Sequence, residues 1–159
     1  MASQGEPTRL WGGRFASGPA DAMAALSLST HFDWRLAPFD VEQTRAHARV
    51  LQRAGLLTAE ELNQVEAALN DLAAGIADSS VVPEPADEDV HTAVERALIA
   101  RLGELGGKLR AGRSRNDQVS TDFRLYLRHH VRLIAAAVID LQEAFLAQAQ
   151  AHLDTYSPG

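Results

Sequence analysis

The architecture of this 159-residue chain depends on one polar stretch, Gly112-Arg113-Ser114-Arg115-Asn116-Asp117-Gln118. Upstream of it, short helical patterns are separated by Gly, Pro and acidic loops. Downstream, no Gly or Pro occurs between Arg113 and Ser157, and the apolar residues keep helical spacing. Because Gly and Pro are the residues that most often interrupt helices, this stretch is predicted to begin one long helix.

The same stretch has the chemistry of an anion-binding helix start. Ser114 followed by Asp117 is a capping-box pattern, in which the Ser114 hydroxyl accepts a hydrogen bond from the amide near Asp117. Arg115 and Asn116 then occupy the first turn, where backbone N–H groups lack helical partners and carry the positive end of the helix dipole. Four cations lie close together here: Lys108, Arg110, Arg113 and Arg115. The pattern indicates a small carboxylate- or phosphate-binding site, although an Arg-rich start that serves only solubility and capping fits the spacing equally well.

Composition limits the class of protein. A net charge of −6 and an aromatic content of 6% argue against a nucleic-acid surface, despite the basic cluster. The absence of Cys excludes disulfides and thiolate chemistry and suits the cytoplasm. Residues 1–6 lack the apolar core of a signal peptide, and no apolar run approaches the length of a membrane span. The six His are scattered along the chain, so we expect no metal site.

Capping signals divide the region before residue 80 into short helices. Residues 10–15 form a Gly-rich loop between aromatics, and a short helix over residues 17–28 leaves Ser29 in an exposed turn. Asp40 is predicted to cap a helix that ends at Ala54, with Gly55 following it. Thr58-Ala59-Glu60-Glu61 is a second capping box. Its helix carries an apolar stripe of Leu62, Val65, Ala68, Leu69 and Leu72. The tight link between these two helices predicts an antiparallel hairpin.

A further helix precedes the basic turn. Val82-Pro83-Glu84-Pro85 cannot be helical and is predicted to be a surface connector. Asp87-Glu88-Asp89 then places negative charge at the start of a helix that ends near Gly103. His91 and Thr92 lie in its first turn, where a lone His is more commonly a surface or capping group. The core face comprises Ala93, Val94, Ala97, Leu98 and Leu102, whereas Glu95 and Arg96 are expected to be solvated.

The long helix carries an apolar stripe that the rest of the chain is too short to cover. The pattern extends from about residue 115 to about residue 154, roughly 60 Å at 1.5 Å per residue. The stripe comprises Val119, Phe123, Leu127, Val131, Ile134, Val138, Leu141 and Phe145. We therefore predict an all-α fold, with a small N-terminal helical domain over residues 1–112. Residues 113–159 form the first long helix of a bundle completed by partner subunits and by further chain.

Four segments resemble the argininosuccinate lyase family of the fumarase/aspartase superfamily. They are Leu10-Trp11-Gly12-Gly13-Arg14-Phe15, Ala54-Gly55-Leu56-Leu57, Asp87-Glu88-Asp89-Val90-His91-Thr92-Ala93-Val94-Glu95 and the stretch from Gly112 to Gln118. They occur in the family's order and spacing, and the resemblance covers nearly all of the chain from Leu10 onward. It implies that the chain is the N-terminal portion of a cytoplasmic homotetramer whose sites are each built from three subunits.

The resemblance also implies a reaction and a set of substrate contacts. The reaction is the reversible elimination of arginine from argininosuccinate, leaving fumarate, without a cofactor. Ser29 and Asn116 are implied substrate contacts, with Ser114 and Arg115 in the same turn. His91, Thr92 and Arg113 are further candidates with less defined roles. The family's catalytic Ser loop and its Thr-His segment are not among these 159 residues, so no catalytic residue is assigned and the chain alone is expected to be inactive.

Two other interpretations remain open at this stage. The family includes lens crystallins that keep the fold without necessarily keeping activity, so an enzymatically silent structural relative is one. An assay of the full-length protein separates it from the enzyme. A basic helix start that binds nucleic acid is the other, and a salt-dependent mobility shift would support it.

The uncovered stripe predicts self-association of the 159-residue chain. Burying a Leu- or Ile-sized side chain contributes roughly 1.5–3 kcal/mol, so several exposed ones forfeit an amount comparable with the whole stability of a small domain, about 5–15 kcal/mol. We expect oligomers or a partly molten state in sedimentation at micromolar concentration. A monodisperse monomer with a sharp cooperative melt would show that the chain covers the stripe itself.

Overall fold

The computed structural model describes residues 20–156, and all regular secondary structure in that range is helical. The elements in chain order are α1 (Asp21–Ser27), α2 (Thr30–Asp33), a 3-10 turn (Trp34–Leu36), α3 (Ala37–Arg53), α4 (Ala59–Ala77), α5 (Val90–Leu102), α6 (Glu104–Lys108) and α7 (Arg115–Ala151). The all-α prediction is confirmed. The predicted loop over residues 10–15 and the start of the first short helix lie outside the described residues.

The hairpin of α3 and α4 forms as predicted. After α3, the Gly55 N–H donates to the Gln52 carbonyl and the Leu56 N–H to the Leu51 carbonyl, at 3.0 and 2.9 Å. This is the Schellman arrangement, and Gly55 supplies its left-handed residue with a φ of 74°. The Thr58 capping box is complete, because the Thr58 and Glu61 side chains each accept from the other residue's backbone N–H. The link between α3 and α4 comprises only residues 54–58, because the Schellman end and the capping box directly follow one another.

The start of α3 differs from the prediction. The helix begins at Ala37 rather than after Asp40, because Pro38 occupies a first-turn position where its missing N–H costs nothing. Asp40 is therefore not a cap but a buried residue one turn into the helix, with no exposed surface. Instead of capping α3, the Asp40 carboxylate accepts a buried hydrogen bond from Gln118 of α7.

The core lies between α3, α4 and α5, and it is apolar. The predicted stripes of α4 and α5 are buried in it, with Leu62 and Leu102 partly buried at its edge. Its fully or nearly fully buried members are Ala37, Val41, Ala48, Leu51, Leu57, Val65, Ala68, Leu69, Leu72, Val90, Val94, Ala97, Leu98 and Leu109. The helices α3 and α4 are also joined at the surface by Arg45 and Arg49, which both pair with Glu66. Arg45 also donates to Asn70, one turn after Glu66, so the earlier residue of α3 reaches the later residue of α4 and the two helices are antiparallel.

The Gly-rich segment after α5 forms a short helix that was not predicted. Gly103 ends α5 with a φ of 58°, and α6 then turns back against it. Gly106 is buried at this crossing, where a Cβ atom would lie 2.9 Å from the Ile99 Cα and 3.0 Å from the Leu98 carbonyl oxygen. The absence of a side chain at Gly106 therefore allows α6 to approach the α5 backbone.

Helix α7 contacts α3 as far as Tyr126 and His129, which pack against Phe39, and every described residue from 131 onward is exposed. It has 37 residues, about 55 Å of helix, and only Gln118 and Asp122 within it are buried. Farther along, Ile134 and Phe145 are 63% and 67% exposed. The prediction that this chain does not cover the stripe is confirmed. None of the helices within residues 20–156 is both long and apolar enough to cross a membrane.

The two glycines of α6 provide a matched test of this packing. Gly106→Ala should destabilise the fold by about 1–3 kcal/mol, because the added methyl group meets backbone atoms that cannot rotate away. Gly107→Ala has no atom within 4 Å of the new Cβ and should be neutral or mildly stabilising. Urea unfolding followed by circular dichroism measures both. Equal midpoints for the two variants would contradict the close crossing.

Candidate functional site

The candidate site is the place where the starts of α5 and α7 meet. Asp89 occupies the N-cap of α5, and its Oδ1 accepts from the Thr92 backbone N–H and hydroxyl at 2.6 and 2.7 Å. From the head of α7, the Arg115 guanidinium lies 3.8 Å from Asp89 Oδ2 and 3.9 Å from Glu95 Oε2. The starts of α5 and α7 are therefore neighbours, and both carry the positive end of a helix dipole. The first turn of α7 has no side-chain cap, so its N–H groups lack side-chain partners within the helix start.

Ser29 is held at the same place. Its backbone N–H donates to the Glu88 carbonyl at 2.8 Å, and its hydroxyl donates to Asp33 Oδ2 at 2.6 Å. That carboxylate oxygen also accepts from the Val90 backbone N–H at 3.3 Å. Asp33 thus joins the segment that carries Ser29 to the first turn of α5. Three of the predicted residues, Ser29, Thr92 and Arg115, are brought to one side of the molecule through these contacts.

Ser114 occupies the N-cap of α7 as predicted, but its predicted capping bond does not form. No side-chain hydrogen bond caps this helix. The reciprocal half of a capping box needs Glu or Gln three residues after the cap, and Asp117 is one methylene too short to supply it. The Ser114 hydroxyl is therefore not used by α7, and both Ser114 and Asn116 are exposed beside Arg115.

The four predicted cations are each paired with acidic side chains. Lys108 pairs with Glu61, and Arg110 lies 3.3 Å from Glu95. Arg113 is directed into the protein, with 13% of its side chain exposed. Arg115 has the longest separations from its acidic neighbours and keeps a third of its side chain exposed. Each of the four cations therefore has an acidic partner, and the pairs of Arg115 are the loosest of them, at 3.8 and 3.9 Å.

Arg113 anchors the turn before α7 onto α3. Its Nη1 donates to Thr44 Oγ1 at 2.9 Å, and its Nη2 donates to Asp40 Oδ1 at 3.2 Å and to the Gln43 side-chain oxygen. Burial lowers the pKa of the Arg113 guanidinium, and the carboxylates of Asp40 and Asp122 oppose that effect. The contacts of Arg113 are therefore those of a structural anchor.

Gln118, in the first turn of α7, makes further hydrogen bonds with α3. Gln118 Nε2 donates to Asp40 Oδ1 at 2.8 Å, and the Gln118 carbonyl accepts from Gln43 Nε2 at 2.9 Å. The prediction missed Asp40, Gln118 and Asp122 as buried polar residues. One signal was available: Gln118 and Asp122 stand four apart on one face of a helix, as do Asp40 and Thr44. Polar pairs at that spacing share a face.

His91 is buried rather than exposed, so the surface interpretation of this residue is wrong. Only 2% of it is accessible, and its Nδ1 lies 3.4 Å from both Asp40 Oδ2 and Asp122 Oδ2. These separations do not have hydrogen-bonding geometry, and Nδ1 and both Asp122 oxygens lack a partner among residues 20–156. One ligand atom from each residue lies within 4.8 Å of the others, so this trio contains the donor types of a metal site despite the scattering of His in the sequence.

Arg96 orders the loop that leads into α5, so the prediction that it is solvated is wrong. Its Nε and Nη2 donate to the two oxygens of Asp87 at 2.9 and 2.8 Å, and Nη1 donates to Glu84 at 2.7 Å. The hydrogen bonds with Asp87, which is 2% exposed, raise the pKa of Arg96. Glu95 is also mostly covered, with 14% of its side chain exposed. The hydrogen bonds of the Arg96 guanidinium therefore fix the position of the acidic segment before Asp89.

A cavity of about 40 Å³ lies behind the two helix starts. It holds no more than a few water molecules, since one water requires about 10–15 Å³, whereas small-molecule sites have about 300–1,000 Å³. Its polar lining joins the buried trio to the candidate site through Thr44, His91, Glu95, Arg113, Arg115 and Gln118. This cavity is therefore too small to be a ligand site by itself, and the candidate residues around it form an open wall at the two helix starts.

The fold is that of an all-helical protein in which the candidate residues lie at helix starts. Residues 13–159 match the lyase family, and the chain belongs to that family. Over its whole length it is 63% identical to an argininosuccinate lyase of Saccharopolyspora erythraea and 59% identical to one of Streptomyces coelicolor. Over 94% of the chain it is 58% identical to an argininosuccinate lyase of Mycolicibacterium smegmatis. The chain spans about a third of the length of these relatives: 33%, 34% and 32%.

Arg113 and Arg110 offer a paired test of the anchor. Arg113→Lys keeps the charge but loses the planar fork that reaches Thr44, Asp40 and Gln43 together, so it should destabilise the protein by roughly 1.5–3 kcal/mol. Arg110→Lys changes an exposed side chain and should cost less than about 0.5 kcal/mol. Denaturant midpoints compare the two. If both variants unfold like the unsubstituted protein, the anchor is not made by the guanidinium.

Proposed function

We propose that this sequence belongs to an argininosuccinate lyase, which reversibly eliminates arginine from argininosuccinate to give fumarate in arginine biosynthesis. The identity of 58–63% to relatives of that name, over nearly all of the chain, is the observation that carries the proposal. The placement of Ser29, Thr92 and Arg115 around two helix starts is a second, independent support. The substrate and the product both have carboxylates, which the positive ends of helix dipoles favour.

The proposed chemistry needs positive donors beside one carboxylate. Removal of a proton next to that group gives a carbanion whose charge spreads into the carboxylate oxygens. Fixed donors aimed at those oxygens stabilise the intermediate more strongly than the substrate, since negative charge grows there. The first-turn N–H groups of α7, the Ser114 hydroxyl and the Asn116 amide are suitable donors, and the Arg115 fork can bind a carboxylate with two bonds.

The proposed role of Ser29 is to orient substrate rather than to act as a nucleophile. Its hydroxyl proton is directed to Asp33 Oδ2, which leaves its lone pairs available to accept from a substrate amine or guanidinium. Thr92 Oγ1 likewise donates to Asp89 and can accept from substrate. His91 and Arg113, both candidates from the sequence, are better suited to support because their side chains are directed into the protein.

The remaining parts of the site are proposed to come from elsewhere. We propose that the base and acid of the reaction lie outside these residues, and that residues 113–159 begin a central bundle onto which residues 1–112 pack as a separate domain. The exposed stripe of α7 and the shallow wall at its head support a homotetramer in which neighbouring subunits complete each site. No cofactor is required by this chemistry, and a cytoplasmic location suits it.

The direct test is an assay of the full-length gene product with argininosuccinate, following fumarate by its ultraviolet absorbance. Arg115→Lys should lower turnover by roughly 10²-fold or more, because the fork that grips the carboxylate is lost, while the melting temperature changes little. Arg124→Lys, on the exposed face of α7, is the control and should keep both.

Two outcomes would contradict the proposal in different ways. A folded, assembled product without turnover would indicate the enzymatically silent relative. An Arg115→Lys variant that unfolds while each folded molecule keeps its rate would assign Arg115 a structural role.

A further inference from the structure

The buried trio of Asp40, His91 and Asp122 joins three helices at one point beneath the candidate site. Asp40 belongs to α3, His91 to the first turn of α5 and Asp122 to the second turn of α7. Asp40 and Asp122 have no accessible surface and His91 is 2% exposed. A buried ionisable group must be paired or neutralised, because an isolated charge in the interior is very costly. The trio therefore has to resolve its charge internally.

The two carboxylates of the trio are supplied with donors very unequally. Asp40 Oδ1 accepts from Gln118 at 2.8 Å, from Arg113 at 3.2 Å and from Thr44 at 3.4 Å. Neither oxygen of Asp122 has any donor within the described part of the chain, and Asp40 Oδ2 has none either. Protein donors thus stabilise a negative charge on Asp40, whereas no described residue donates a hydrogen bond to Asp122. One further positive charge is needed at Asp122.

A proton satisfies this requirement better than a metal ion. Arg113 already brings one positive charge against two carboxylates, so one proton makes the group neutral. A divalent ion would leave a buried net positive charge beside the guanidinium of Arg113, and it would find only three protein ligand atoms. Burial, the charge of Asp40 and, in opposition, Arg113 together raise the pKa of Asp122 to about 8.

We propose that Asp122 carries a proton in the folded protein and that the neutral Asp40–His91–Asp122 cluster positions the starts of α5 and α7, which bear Thr92 and Arg115. The nearest acceptor for that proton is His91 Nδ1, which lies 3.4 Å from Asp122 Oδ2. Asp40 and Asp122 are then positioning residues for the reaction proposed above, on which this part of the inference rests. Loss of the proton would place two carboxylates side by side and push α7 away from α3 and α5.

The sign of the pH dependence follows from the proton balance. Between the ordinary pKa of an Asp and about 8, the unfolded chain has lost this proton and the folded protein keeps it, so folding takes up a proton. Stability therefore falls as the pH rises through that window and levels off above it. The charged or titratable groups that face Asp122 are Asp40 from α3, His91 from α5 and Arg113 from the turn before α7. Substituting Asp122 isolates its contribution from theirs.

The first measurement is the thermal melting of the full-length gene product between about pH 5 and pH 9. Asp122→Asn replaces the protonated acid by a neutral group of the same shape, so its melting temperature should decline less with pH and exceed that of the unsubstituted protein by a few degrees at pH 8. Asp71→Asn, on the exposed face of α4, should reproduce the unsubstituted curve. A lower melting temperature for Asp122→Asn at every pH would show that the charged carboxylate is required and would overturn the proposal.

The second measurement separates positioning from simple stability. Asp122→Ala should lower kcat/KM by roughly 10-fold or more at a temperature where it remains folded, because the helix starts lose their alignment. Asp122→Asn should have a kcat/KM close to that of the unsubstituted enzyme. Its kcat/KM should also not decline at alkaline pH, whereas that of the unsubstituted enzyme should. Equal kcat/KM values for the two variants, or a shared pH profile with the unsubstituted enzyme, would remove the positioning role.

Metal analysis gives an independent outcome. After incubation with Zn²⁺ and dialysis, elemental analysis should find no stoichiometric metal. One Zn²⁺ per chain that is lost in Asp122→Asn would overturn the proton in favour of an ion. If the full-length product shows no lyase activity, the proposed function fails, but the melting curves still test the proton on Asp122.

Discussion

The hydrogen-bonded ion pair between Arg113 and Asp40 is the interaction on which the rest of this structure depends. The apolar core holds α3, α4 and α5 together, and it includes no residue of α7. The start of that helix is attached by polar contacts, in which Arg113, Gln118 and Asp122 reach α3 and α5 through a small buried polar layer. Farther along, Tyr126 and His129 pack against the Phe39 ring of α3. Because hydrogen bonds are directional, such a layer fixes both the distance and the rotation of a helix, which apolar packing at one end could not do.

The apolar core and the polar layer hold different helices, and this difference explains where the candidate site lies. The polar layer contacts α5 at His91 and α7 at Gln118 and Asp122, close to the helix starts that carry Thr92 and Arg115. Arg115 and Arg113 are two residues apart, yet one is anchored inside and the other stays a third exposed at the surface. A single turn of chain therefore carries both the anchor, Arg113, and the candidate residue Arg115, so the contacts of Arg113 also position Arg115.

The sequence predicted the features that follow from local rules. The Schellman end at Gly55, the capping box at Thr58 and the apolar stripes of α4, α5 and α7 depend on neighbouring residues, and the structure confirms them. The failures share a cause. Asp40, His91 and Arg96 are polar residues whose partners lie more than a few positions away in the chain, and single-residue propensities favour caps and solvated faces for them. Spacing could identify Gln118 and Asp122 as one face, but only the fold shows that the face meets Asp40. The roles of Ser29, Ser114, Arg115 and Asn116 toward substrate stay predictions.

The carboxylate of Asp33 has a consequence for how the site can move. It holds the Ser29 hydroxyl and the first-turn amide of α5 through the same oxygen, while the Ser29 backbone is bonded to Glu88 just before that helix. Ser29 is thus tied to α5 at two points, although some sixty residues of chain separate them. A tilt of α5 would carry Ser29 with it, so the spacing between Ser29 and Thr92 would survive displacements that change the spacing of either to Arg115. The wall therefore has two parts, Ser29 with the start of α5 and Arg115 at the head of α7, and the buried polar layer sets the spacing between them.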